Sequence, residues 1–378
     1  MEFILVREKL SKALNFLTKA ISAKASLPIL QNILIEQDEG RIKLTATDLD
    51  KTIICWLGAK IEGENKPVTV PAKVFQGFVS SVSDDQVSCE ITGEKLTVKS
   101  SGAKATLNGI SAKEYPNLDY SLSKNYIDVK TSLLKEAVTH TYFSTSIDET
   151  KPLWTGILLK IVDDKLHFVG LDGFRMSKKE LSIKGSGFEN SKEAFESVVI
   201  PAKNLLEVVK FAGNLDTIKV DIQPSKNVVV FGFEDLLFVS KTLDGEFPDY
   251  QAAVPKNQAV VFEVNSADLL AGLRSATIFS SEQNAVKFFI DVDGKRIKLS
   301  SDNVEVGTNE LFIPINFAEG ENLEIGFNAK YLLDLLNNVP SEILIIKCSG
   351  QSSPAIFSPK GIENYLHVAV PLQPYWEK

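Results

Sequence analysis

One passage recurs three times along the chain, and that recurrence limits the fold more than any single residue does. Gly40-Arg41-Ile42-Lys43-Leu44-Thr45-Ala46-Thr47-Asp48 returns as Asp164-Lys165-Leu166-His167-Phe168-Val169-Gly170-Leu171-Asp172 and again as Gly294-Lys295-Arg296-Ile297-Lys298-Leu299-Ser300-Ser301-Asp302. The period of roughly 125 to 130 residues lies far above the about 20 to 50 of solenoid repeats, so the repeated unit is a domain. Other landmarks keep the phase: Val70-Pro71-Ala72-Lys73 is echoed by Ile200-Pro201-Ala202-Lys203 and Phe327-Asn328-Ala329-Lys330, and Glu114-Tyr115-Pro116-Asn117 by Glu246-Phe247-Pro248-Asp249. A chain of 378 residues gives each of three domains enough length for its own core. The expected division is 1–120, 121–252 and 253–378.

Spacing predicts two short helices per repeat. Leu10, Leu14, Leu17 and Ile21 share one helical face, as do Leu133, Leu134, Ala137 and Val138, and Leu269, Leu270 and Leu273. Asn265 or Ser266, and Thr131 or Ser132, stand as N-cap candidates. The second helices follow the Pro-Ala-Lys signal, with Pro early in the helix: Val74, Phe75, Phe78 and Val82; Leu205, Leu206, Val208 and Val209; Leu332, Leu333, Leu335 and Leu336. Alternating runs at 41–45, 87–91, 95–99, 219–222 and 343–347, bounded by Gly, Asp and Asn, predict antiparallel strands with one buried face. The class is α+β, two helices on antiparallel sheet in each of three repeats.

Catalytic motifs are missing. There is no G-x-x-x-x-G-K-[ST], and His140, His167 and His367 lie in no metal-binding spacing, so neither cofactor nor metal is expected. Asp48 and Asp50 read as a strand-end turn, because Asp172 and Asp302 lack an acidic partner two residues on. Cys55, Cys89 and Cys348 are odd in number and sit in apolar runs, as buried thiols of a reducing cytoplasm do. No apolar run is long enough for a membrane span, and the acidic start is unlike a signal peptide. A net charge of −8 argues against a simple nucleic-acid binder.

The assembled landmarks resemble the bacterial DNA polymerase III beta subunit, the sliding-clamp family. The resemblance runs nearly end to end and is carried by Ser26-Leu27-Pro28-Ile29-Leu30-Gln31-Asn32, Leu44-Thr45-Ala46-Thr47-Asp48-Leu49, Val70-Pro71-Ala72-Lys73, Glu114-Tyr115-Pro116-Asn117-Leu118, Leu171-Asp172-Gly173-Phe174-Arg175, Asp244-Gly245-Glu246-Phe247-Pro248-Asp249-Tyr250 and Glu324-Ile325-Gly326-Phe327-Asn328. It implies a DNA clamp fold, a six-domain ring made by a head-to-tail homodimer, with helices lining a hole for double-stranded DNA of any sequence. It implies no catalysis of its own. A topological tether needs only weak phosphate contacts, which answers the charge objection.

On this reading Lys9, Lys12, Lys24, Lys73, Lys135, Lys203, Lys210, Arg274 and Lys330 face DNA. The family's DNA-touching loop corresponds to Asp148-Glu149-Thr150-Lys151-Pro152-Leu153-Trp154, where Asp148 and Pro152-Leu153 depart from the pattern. The family also holds short peptides of the polymerase III catalytic subunit, clamp-loader subunits, other polymerases and repair proteins. Carried over by position, that pocket comprises Lys151, Trp154, Leu171, Gly173, Phe174, Arg175, Met176, Pro248, Ala252, Ala253, Ser353, Val368, Val370, Pro371 and Leu372. Phe174 replaces a common His, Ala252 a longer basic residue, and the tail Pro374 to Lys378 extends past the usual end, with Tyr375 and Trp376 as candidate pocket covers. For the subunit seam the resemblance implies Leu107 and Phe279, while Lys104, among Lys95, Lys99 and Lys104, and Glu305, among Asp302, Glu305 and Glu310, offer opposite charge. Two other classes, an adhesive β-rich protein and an enzyme with an unrecognised carboxylate site, lack a secretion signal and a convergent motif respectively.

Overall fold

Period-two alternation builds most of the molecule. The computed structural model describes residues 1–22, 27–185, 197–281 and 283–372, so Lys24, Ser26 and the tail with Tyr375 and Trp376 lie outside the described residues. The first repeat runs β1 (Glu2–Val6), α1 (Arg7–Leu17), β2 (Asn32–Asp38), β3 (Arg41–Thr47), β4 (Lys51–Gly58), β5 (Lys60–Glu62), β6 (Val68–Pro71), α2 (Ala72–Ser81), β7 (Gln86–Thr92), β8 (Lys95–Ser100), β9 (Ala103–Asn108) and β10 (Ile110–Ser111). The second runs β11 (Ile127–Lys130), α3 (Thr131–Thr141), β12 (Gly156–Val162), β13 (Lys165–Leu171), β14 (Arg175–Ser182), β15 (Ser197–Pro201), α4 (Ala202–Ala212), β16 (Thr217–Gln223), β17 (Val228–Phe233) and β18 (Leu236–Lys241). The third runs β19 (Val260–Asn265), α5 (Ser266–Ile278), β20 (Ala285–Asp291), β21 (Arg296–Asn303), β22 (Gly307–Gly320), β23 (Leu323–Asn328), α6 (Ala329–Asn338), β24 (Ile343–Cys348), β25 (Ala355–Pro359) and β26 (Tyr365–Ala369).

Chain contacts gather these three repeats into two compact units, Met1–Thr131 with Lys210–Thr242, and Ser132–Val209 with Leu243–Lys378. The second repeat is therefore shared. In the first unit its strands extend the sheet β10-β6-β2-β3-β4-β18-β17-β16-β11, beside a five-stranded sheet β5-β1-β7-β8-β9. In the second unit the remainder joins the third repeat in one run, β15-β12-β13-β14-β26-β25-β24-β19-β22-β21-β20-β23.

The two joins use the same strands in the same register. β4 pairs antiparallel with β18, Ile53 opposite Phe238 and Cys55 opposite Leu236. β14 pairs with β26, Ser177 opposite His367 and Lys179 opposite Tyr365. Ile53 and Ser177 are equivalent because each lies across from the same repeat position, Ala46 and Gly170.

Burial follows the predicted alternation, with Ile42, Leu44 and Ala46 inside in the first repeat and Ile297, Leu299 and Ser301 in the third. That face aligns Asp48 and Asp172 with Asn303, one residue beyond Asp302. The side chains agree, since Oδ1 of Asp48, Asp172 and Asn303 each accepts the amide two residues on, from Asp50, Phe174 and Glu305. Each closes the same hairpin turn.

Several helix details differ from the spacing. α1 ends at Leu17 and a 3-10 turn (Thr18–Ala20) follows, so Ile21 is extended rather than helical. Pro71 is the residue before α2, and Val79 takes the buried position expected of Val74, which is 59% exposed. Asn265 caps α5, accepting from the amides of Ala267 and Asp268. Cys55, Cys89 and Cys348 are buried free thiols, and burial pushes Cys89 and Cys348 up to about 12. Among the described residues no helix is long and apolar enough to cross a membrane.

Candidate functional site

In the second unit, strand order brings distant residues into one apolar surface. β13, β14 and β26 are adjacent, so Leu171, Met176 and Val368 pack with Leu158, Val169, Val199 and Tyr250, and Trp154 and Leu153 lie against them. Gly173 is at φ +89°, and a Cβ there would sit 2.6 Å from Trp154 Cζ3, so backbone and contact both demand glycine. Lys151 Nζ stands 4.1 Å over the Trp154 ring. Val370 donates its amide to the Phe174 carbonyl, and Leu372 to that of Gly326, which anchors the segment 370–372. Phe174 is 60% exposed and stacks on Tyr331.

These contacts unite most of the pocket residues expected from the sequence. Pro371 is buried, Pro248 and Ser353 are half-buried, and Ala252 and Ala253 are exposed beside the cluster members Tyr250 and Val254. Leu243, Phe247, Ile356 and Leu366 also pack on this surface, and the sequence reading did not assign them to it. Leu153 packs inward on this cluster, while Asp148 folds its carboxylate back onto the Thr150 amide and hydroxyl. Gly173→Ala is expected to lower stability by about 1 to 3 kcal/mol and to move Trp154. Urea unfolding followed by tryptophan fluorescence checks both effects.

Arg175 is a strut. Its Nε donates to Asp172 Oδ2 at 3.0 Å and its Nη1 to Asp334 Oδ2 at 2.6 Å, while the guanidinium lies 4.5 Å over Tyr331. Beneath it, Ser177 Oγ meets Ser144 Oγ, Tyr365 Oη and His367 Nδ1. Burial first, and the Arg175 charge second, press His367 down to about 3 from 6.5. A histidine depressed in this way is protonated first in the unfolded chain. Its stabilisation is complete above pH 6.5 and is lost as pH falls toward 3, at about 1.4 kcal/mol per pH unit. His367→Phe copies the equivalent Phe238 and should flatten that acid slope; equilibrium unfolding between about pH 4 and 6.5 is the measurement.

The expected DNA-facing residues Lys9 and Lys12 on α1, Lys73 on α2, Lys135 on α3, Lys203 and Lys210 on α4, Arg274 on α5 and Lys330 on α6 are all exposed on helices. Lys203 approaches Glu149 at 4.0 Å with both side chains over 80% exposed, a pair too solvated to hold either.

Two of the open strand edges among the described residues matter for assembly. β9 ends the five-stranded sheet, and the Gly307–Pro314 half of β22 pairs only with β21. Lys104 projects outward from β9, whereas Leu107 is 4% exposed and belongs to the core of its own unit. Glu305 lies in the β21–β22 turn. Phe279 ends α5 half-buried, and its neighbour Ile278 is 71% exposed.

Family comparison matches three successive models over the chain: the DNA polymerase III beta subunit N-terminal domain at residues 1–119, the central domain at 128–249 and the C-terminal domain at 251–373. The beta sliding clamp of Staphylococcus epidermidis is 28% identical across 99% of this chain and 100% of its own length. That of Synechococcus elongatus is also 28% identical, covering 99% of both chains. The crystal structure of the DNA polymerase sliding clamp from Bacillus subtilis matches with a TM-score of 0.91 and 26% identity, over 99% of this chain and 100% of that one. With all three of its domain models matched in order and the whole length shared, the chain belongs to the DNA polymerase III beta subunit family of sliding clamps and has its three-domain fold.

Proposed function

We propose that two copies join head to tail into a six-domain ring that encircles duplex DNA, slides along it and tethers the replicative polymerase. The observation that carries this reading is the repeated join. β4–β18 and β14–β26 share one register, and among the described residues the equivalents left over are β22 and β9. Asn309 is the counterpart of Ile53 and Ser177, lying across from Ser301, and Ala105 is the counterpart of Phe238 and His367, lying across from Val98. Repeating the join between copies puts Asn309 opposite Ala105, and one step along puts Glu310 opposite Lys104. Opposite charges then meet at the seam. On their helix sides, α2 packs beside β9 and α5 beside β22, each with an exposed apolar residue, Val74 and Ile278.

The helix cations supply weak, sequence-blind phosphate contacts, so retention comes from closure rather than adhesion. The apolar surface around Trp154 and Gly173 receives linear peptides of the polymerase III catalytic subunit and clamp-loader subunits, and the chain contributes no catalysis itself. The first repeat carries no copy of this apolar surface. Where the second repeat has Val169, Leu171, Met176 and Val199, the first has Thr45, Thr47, Thr52 and Thr69, buried and polar. Gel filtration with nicked circular DNA and a clamp loader tests the function: the protein should stay with circles and run off once they are linearised, and equal retention on both would refute encirclement.

A further inference from the structure

The two joins differ on their helix side. The buried face Leu10, Ala13, Leu14 and Leu17 of α1 matches Leu134, Ala137, Val138 and Thr141 of α3, which makes Lys12 the counterpart of Glu136 and Phe16 that of His140. At the β14–β26 join the space is filled from within. Glu136 Oε1 meets Lys179 Nζ at 2.7 Å, Lys179 donates to the Glu363 carbonyl at 3.0 Å, and His140 sits edge-on to Tyr365. At the β4–β18 join those positions are Lys12, Cys55, Glu234, Phe16 and Leu236, which cannot close it. A cleft of about 660 Å³ remains, within the roughly 300 to 1,000 Å³ of ligand sites.

The cleft has an aromatic floor and a cationic rim. Phe16 packs on Phe211 at 4.6 Å between ring centroids, and Phe211 meets Phe233 at 6.5 Å. Lys9 and Lys12 stand at one wall of α1, exposed and without an ion pair among the described residues. On the far wall Asp235 is occupied by Arg41 at 3.1 Å, and Glu234 is exposed. Phosphates are thereby directed to the lysine wall, while the rings offer a π-face that every base matches.

We propose that this cleft seats a short single-stranded DNA segment, one base on the Phe16–Phe211 floor and its flanking phosphates on Lys9 and Lys12. The inference rests on the reading that the helix side of the clamp faces DNA, and it adds a site for strands that have left the duplex. An acidic peptide suits the lysines equally but gains less from the aromatic floor, so it serves as the alternative outcome.

Fluorescence anisotropy of labelled ten-residue oligothymidylate measures binding. With two phosphates neutralised, log affinity should fall against log salt with a slope near about −1.4. Phe16→Ala should weaken binding about tenfold, and Asn214→Glu, a surface change at the cleft mouth, several-fold even if Phe16→Ala disturbs folding. Both variants should still be retained on circular duplex DNA, so loss of that retention would count against the ring and not against the cleft. Unchanged oligonucleotide affinity in both variants overturns the proposal, as does displacement of the oligonucleotide by an equal concentration of hexaglutamate.

Discussion

Lys104→Glu is expected to leave a folded 41.6 kDa monomer in place of the proposed dimer of twice that mass. In the proposed seam Lys104 lies directly across from Glu310, so reversal puts two carboxylates face to face along an otherwise matched strand pair. Like charges so placed cost about 1 to 3 kcal/mol, and a two-copy ring contains the contact twice. A total of about 2 to 6 kcal/mol raises the ring's dissociation constant by roughly 30-fold to 10⁴-fold. Glu310→Lys should do the same, although Lys298 beside it at 2.6 Å adds further repulsion. The double reversal should recover much of the dimer, which separates charge matching from damage to either strand. Sedimentation at graded protein concentration reads the result, and dimers of undiminished strength in both single variants would move the seam elsewhere.

Arg175→Ala should be the most damaging single change in the second unit. The guanidinium is 9% exposed and bridges Asp172 and Asp334, which are 13% and 31% exposed. Its removal leaves two carboxylates facing each other without their cation and strips the ring contact to Tyr331. Breaking a buried pair costs about 3 to 5 kcal/mol, and the partial exposure of Asp334 brings the expected loss to about 2 to 4. Arg175→Lys should recover only part of it, because one ammonium cannot reproduce a fork spanning two acceptors. Partner-peptide affinity should fall too, since the Asp172–Arg175 turn holds Gly173 against Trp154. Hydrogen exchange at β14 and β26 localises the effect, and unaltered protection there would show that the strut is dispensable.

Much of this architecture was legible from local pattern. The runs 41–45, 87–91, 95–99, 219–222 and 343–347 all became strands, because one-sided burial imposes alternation on the sequence itself. Pairing between repeats was not legible. Nothing near Lys51–Gly58 or Arg175–Ser182 announces a partner strand about 185 to 190 residues away, and that pairing is what divides the second repeat between two units. The same non-locality hid the role of Arg175, whose second carboxylate, Asp334, comes from α6 in the next repeat. Position alone also did not show that Leu107 and Leu153 turn inward onto their own cores. The candidate pocket was inferred only through family resemblance, since Asp172-Gly173 by itself reads as any hairpin turn.

Closure through a third copy of the internal join is tested most directly by a covalent seam. Residues directly opposite in such a pair have Cβ atoms about 4.5 to 5.5 Å apart, near the reach of a disulfide. Ala105→Cys with Asn309→Cys should therefore crosslink under mild oxidation, and the native Cys55, Cys89 and Cys348 are buried away from the reaction. Oxidised after loading on nicked circular DNA, the protein should remain on the circles through a denaturing wash and leave when the circle is cut. Failure to crosslink, or release from intact circles after crosslinking, would contradict the ring.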